Sequence, residues 1–148
     1  MGGGVAAPGQ NLDDLRVTDD EIVWRLIDPK YYVEDPTNPG KRIIAVGTFS
    51  HTSKGVSLLR ESVLKGQEKD PVGFIQRRFP KFGIAALKAA DVRKAGCLFA
   101  IETDPLYNWP RDCHVGIYKA PNKGRMKPRH WNQLRDLAEQ NLILEPTM

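Results

Sequence analysis

The sequence lacks most of what makes a short chain easy to classify. Two cysteines, Cys97 and Cys113, are too few for a disulfide framework or a thiolate metal centre. Each opens an apolar run, so both are expected as buried free thiols, with a reducing cytoplasm as the compartment. No apolar run approaches the length that spans a bilayer. The opening "MGGGVAAPGQ" has neither the charged start nor the apolar stretch of a secretory leader. There is no glycine-rich phosphate loop, no HExxH helix and no GxSxG elbow. "GKR" at 40–42 and "NKGR" at 122–125 lack the strand–loop–helix setting of a phosphate cradle. No metal or cofactor is therefore expected from motifs alone.

What is present is an ordinary globular composition: 148 residues, 41% hydrophobic and 27% charged. That length and balance fit one domain with a sizeable core over residues 11–148, preceded by a flexible Gly-rich tail at 1–10. The net charge of +4 is unevenly spread. Residues 1–50 carry five basic and eight acidic side chains, and residues 51–148 carry seventeen and ten. Such a gradient attracts a polyanion or an acidic partner surface.

"EIVWRLI" is rich in β-formers and is stopped by Pro29, which predicts a strand over Glu21–Ile27. "DPTNPGK" is a turn, and "RIIAVGTF" reads as a strand covered on both faces. "VSLLRESVLKG" sets Val56, Leu59 and Val63 at helical spacing and ends on Gly66, while its opening "VSLL" reads equally as the extension of a strand. In "DPVGFIQRRF", Asp70 caps a helix opened by Pro71. "GIAALKAADVRKAG" is alanine-rich and reads as helix. "CLFAIE" and "CHVGIYK" read as strands, and Pro128 opens a helix striped with Trp131, Leu134, Leu137 and Ala138. This order predicts an α+β fold: a mixed or antiparallel sheet with helices, the last of them amphipathic.

The chemistry-bearing residues are scattered: Arg25 in the first strand, His51 and Ser53 after the second, then Ser57, Glu61 and His114. Arg25 either clamps an anion through its planar fork or lies on the solvent face of a half-exposed strand; the alternation of the strand favours water. His114, at a strand entrance, is either a general base or a hydrogen-bonding structural residue. His51 is equally open, and Glu61 is expected on a solvated helix face. Lys123, Arg125, Lys127 and Arg129 form a basic run without an intervening acid. That run is the candidate surface for a protein partner. With Tyr107 or Trp109 as a stacking platform, a nucleic-acid surface is a further alternative.

The segments "VWRLIDPKYYVED", "GTFS", "GVSLL" and "HVGIYK" resemble small uncharacterised bacterial proteins, a likeness that covers most of residues 22–118 and implies no activity. "WRLI" and "LLRES" are similar to segments of the RES family of bacterial toxins, although "NPGKR" stands where that family has a Gly-Gly-Arg-Trp turn. This second resemblance implies an NAD-consuming, ADP-ribosyltransferase-like effector. Arg25 would then hold the pyrophosphate, Glu61 with Ser62 would support the ribose chemistry, and His51 or His114 would assist. The leading expectation is a soluble partner-binding domain or subunit of a larger system.

Overall fold

The computed structural model describes residues 12–50 and 55–147. Its architecture is α+β, built on a six-stranded antiparallel sheet with a small two-stranded sheet beside it. In chain order the strands are β1 (Ile22–Ile27), β2 (Tyr32–Glu34), β3 (Arg42–Ile44), β4 (Val56–Arg60), β5 (Gly83–Lys88), β6 (Cys97–Ile101), β7 (His114–Lys119) and β8 (Leu142–Leu144). The helices are α1 (Gly47–Ser50), α2 (Glu61–Gln67), α3 (Pro71–Arg78), α4 (Ala89–Lys94) and α5 (Pro128–Gln140). The large sheet runs β6-β7-β4-β1-β5-β8, and β2 pairs with β3 in the small one.

Side chains alternate across the large sheet, and each face has its own core. One face carries Val23, Ile27, Val56, Leu58, Ala85, Leu87, Val115 and Ile117, covered by Val92 of α4 and by Leu134 and Ala138 of α5. The other carries Trp24, Leu59 and Ile84, covered by Leu64 of α2 and Ile75 of α3. Cys97 and Cys113 are both free and buried, as their apolar surroundings predict. Among the described residues no helix is long and apolar enough to cross a membrane.

Three segments depart from the sequence-based expectation. "RIIAVGTF" keeps its strand only to Ile44 and then turns into α1. "VSLLR" is strand β4, with α2 beginning at Glu61, so the helical spacing of Val56, Leu59 and Val63 is a coincidence of short apolar runs. "GIAALK" is the central strand β5, flanked by β1 and β8, and only the "AADVRK" that follows is helical. Fully buried Ala85 faces α5 rather than solvent, and tertiary packing overrides its helix propensity. α3 and α5 begin at Pro71 and Pro128 as predicted, and the Asp70 carboxylate accepts the Gly73 amide.

Candidate functional site

The site arises where the sheet comes apart. β1 pairs with β5 along its whole length, from Ile22 opposite Lys88 to Ile27 opposite Gly83. Its pairing with β4 covers only Val23 opposite Arg60 and Trp24 opposite Leu59. Beyond Trp24 the two strands no longer form a ladder, and the Arg25 side chain fills the seam. Nη1 of Arg25 donates to the Ser57 carbonyl at 3.0 Å. Nε and Nη2 donate to the Thr48 carbonyl of α1 at 3.1 and 2.6 Å. The Ser57 carbonyl on β4 and the Thr48 carbonyl of α1 are thus both capped by one guanidinium.

The expectation that Arg25 faces water is corrected here. Its side chain is half-buried in the seam, and burial lowers its pKa from 12.5 to about 10, with only the nearby Tyr31 opposing. It enters no ion pair among the described residues; it meets two carbonyls and the face of Phe49, 5.8 Å away. Three of its five N–H donors are accounted for in this way. A desolvated cation with spare donors and no carboxylate is unusual, because buried charges are normally paired.

A cavity of about 280 Å³ opens against this arginine. Because the ladder is interrupted, residues from both faces of the sheet line it: Arg25 and Thr48 from one side, Trp24, Leu59 and His114 from the other. Aromatic side chains Phe79, Phe82, Tyr107 and Trp109 form one wall. Phe79 and Trp109 lie nearly parallel at 6.1 Å, and Tyr107 meets Phe79 edge-on at 4.9 Å. Tyr31 stands near the guanidinium, its ring so close over Gly47 that a Cβ there would lie 2.5 Å from Cε1.

A second hollow of about 540 Å³ shares Asp104, Leu106, Tyr107, Trp109 and His114 with the first. The segment 104–109 is therefore a partition with a cavity on each side. Asp104 fixes it: one carboxylate oxygen accepts the Leu106 amide at 2.8 Å and the other accepts the Trp109 indole at 2.9 Å. Burial opposes ionisation of Asp104, but these donors and the neighbouring His114 prevail and hold its pKa below the usual carboxylate value.

His114 is 8% exposed and lines both hollows. Its Nδ1 lies 3.0 Å from the Glu102 carbonyl oxygen. That oxygen can only accept, so Nδ1 carries a proton, and whenever the ring is neutral Nε2 is a lone pair. Nε2 is buried and has no hydrogen-bond partner among the described residues. The Thr48 hydroxyl is in the same condition, and it belongs to the same cavity.

The remaining predicted site residues lie elsewhere. Glu61 opens α2, accepts the Trp24 indole at 2.8 Å and pairs with Lys65 at 2.9 Å, outside the cavity lining. Ser62 donates to Glu21, which also pairs with Arg60. His51 and Ser53 lie outside the described residues. Lys123, Arg125, Lys127 and Arg129 are all exposed, and of these Lys123 pairs with Glu102 at 3.2 Å. Elsewhere in the basic half of the chain, Arg93 is committed to Asp13 and Asp19, and Arg78 covers the rings of Phe74 and Trp109.

Sequence reasoning missed Thr48, Asp104, Phe79 and Phe82, and it named Tyr107 and Trp109 only as a stacking platform for nucleic acid. The proline-broken "DPLYNWPRD" held the only usable signal, an aspartate and two aromatics in a loop directly before His114. No metal-binding group of three or more His, Cys, Asp or Glu side chains is found among the described residues. No family model matches the chain, and no curated protein or solved structure shows significant similarity to it.

Proposed function

We propose that the cavity at the β1–β4 seam binds a small anionic ligand that also carries a flat ring, a nucleotide being the simplest chemistry of that kind. The observation that carries this reading is the half-buried guanidinium of Arg25, which borders the cavity and lacks a carboxylate counter-ion among the described residues. A bound phosphate would supply the missing charge and accept the spare donors. The aromatic wall of Phe79, Tyr107 and Trp109 offers stacking for a ring of the ligand. Calorimetric titration with pyrophosphate and with AMP tests it. Binding that weakens at least tenfold in Arg25→Lys supports the reading, and absence of binding by both compounds sinks it.

NAD consumption is a narrower version of this reading. The position of Arg25 favours it, while Glu61, tied to Trp24 and Lys65, is not available in the cavity to steady charge on a ribose. A nicotinamide-release assay on the purified protein decides between binding and turnover. A protein partner at Lys123, Arg125, Lys127 and Arg129 is a separate reading, supported by their common exposure. Charge reversal at all four should then abolish capture of an acidic partner, and unchanged capture would remove this surface from consideration.

A further inference from the structure

We infer that His114 reads a sugar hydroxyl of the ligand, so that the cavity selects a pentose phosphate compound over a bare anion. The inference rests on the anion-binding reading of Arg25 and adds to it a second contact from the neighbouring wall of the same cavity.

Three buried side-chain polar atoms among the described residues have no hydrogen-bond partner: Thr48 Oγ1, His114 Nε2 and His130 Nε2. Two of the three belong to residues that line the seam cavity. Leaving such an atom unbonded forfeits its hydration without return, so orphaned groups are uncommon in a finished structure. Two of them in one hollow, beside an unpaired guanidinium, mark a place where partners are missing. His130 differs: its Nδ1 accepts the Lys127 amide at the start of α5, and its Nε2 faces Gly96 outside the cavity.

The type of partner follows from the tautomer. With its Nδ1 proton directed at the Glu102 carbonyl, neutral His114 presents an acceptor at Nε2. It therefore calls for an O–H or N–H, which a phosphate held by Arg25 supplies only while it keeps a proton and which a sugar hydroxyl always supplies. The strand register brings the two contacts to one place. His114 lies opposite Leu59, and Gly116 lies opposite Ser57, whose carbonyl holds Arg25. His114 and Ser57 are thus diagonal neighbours on paired strands, and both line the cavity. A ligand whose anion meets Arg25 would reach His114 with the part next to that anion, which for a nucleotide is the ribose and its hydroxyls. The Thr48 hydroxyl, on the residue whose carbonyl takes two of the guanidinium donors, is free to meet the anion or the sugar from the other side.

The test compares AMP, 2′,3′-dideoxy-AMP and pyrophosphate by calorimetry on the full chain. The unmodified protein should bind AMP at least tenfold more tightly than the dideoxy compound. His114→Leu should bind the two alike while pyrophosphate affinity stays within twofold. Equal affinity for the two nucleotides in the unmodified protein overturns the inference without any variant, so a misfolded His114→Leu cannot shield it. A His114→Leu protein that keeps the preference for AMP also overturns it. Should pyrophosphate and AMP both fail to bind, the underlying anion reading falls as well. Binding of pyrophosphate with no hydroxyl discrimination removes the role of His114 alone.

Discussion

Arg25 reaches the Ser57 carbonyl at 3.0 Å across a gap in which the strands that carry the two residues have ceased to pair. The guanidinium therefore has two duties, since it closes the seam and it charges the cavity. Arg25→Lys separates them. A lysine keeps the positive charge but lacks the rigid fork that meets the Thr48 and Ser57 carbonyls together. Urea unfolding should show a loss of about 1–3 kcal/mol for the carbonyls left unbonded. A variant as stable as the parent would mean that the seam does not depend on the fork.

Gly47 and Tyr31 form a second separable pair. An added methyl at Gly47 would stand 2.5 Å from the Tyr31 ring, so Gly47→Ala must displace the ring from beside Arg25. Overpacking of this kind costs about 1–3 kcal/mol. Tyr31→Ala should remove most of that penalty, and the non-additivity is read from a double-mutant cycle. Strict additivity would show that the two do not press on one another.

Glu61 offers a direct contrast with the enzyme reading. Glu61→Gln removes the half-exposed ion pair with Lys65 but retains an acceptor for the Trp24 indole, so stability should fall by no more than about 1 kcal/mol. AMP affinity should be unchanged. A tenfold loss of AMP binding would return Glu61 to the site and revive the NAD-consuming arrangement.

The buried thiols make stability sensitive to alkali. Burial raises Cys97 from 9.0 to about 12 and Cys113 from 9.0 to about 11. Below pH 9 both folded and unfolded chains hold these protons, and the stabilisation is fully present. As the pH rises further the unfolded chain releases them first, so stability falls across the window up to the folded values. Guanidinium unfolding at about pH 8 and about pH 10.5 should show a smaller alkaline loss in Cys97→Ala than in the parent, as this linkage requires. An equal loss in both would place the alkaline sensitivity elsewhere.

The parts of the fold legible in the sequence were those where local chemistry and tertiary demand agree. Strand β1, the Pro71 and Pro128 helix starts and the Leu134–Ala138 stripe are of this kind. β5 was misread because Ala85 and Ala86 favour helix in isolation, whereas a slot between β1 and β8 takes small side chains as strand. For the site, Arg25 and His114 were visible as residue types. Their meeting was not, because it depends on where the β1–β4 ladder stops, and pairing extent has no signature in either strand alone. The aromatic wall comes from the turn after α3 and the 104–109 segment, which only folding brings together.

The anchors of Arg25 are main-chain oxygens, and this has a consequence for variation. Replacing the side chain at position 57 leaves the oxygen that grips the guanidinium in place, so the exposed Ser57 can be exchanged for other small residues without releasing the cation. Ligand preference at this cavity is therefore open to redesign, by nature or in the laboratory, while the charged anchor beneath it stays where it is.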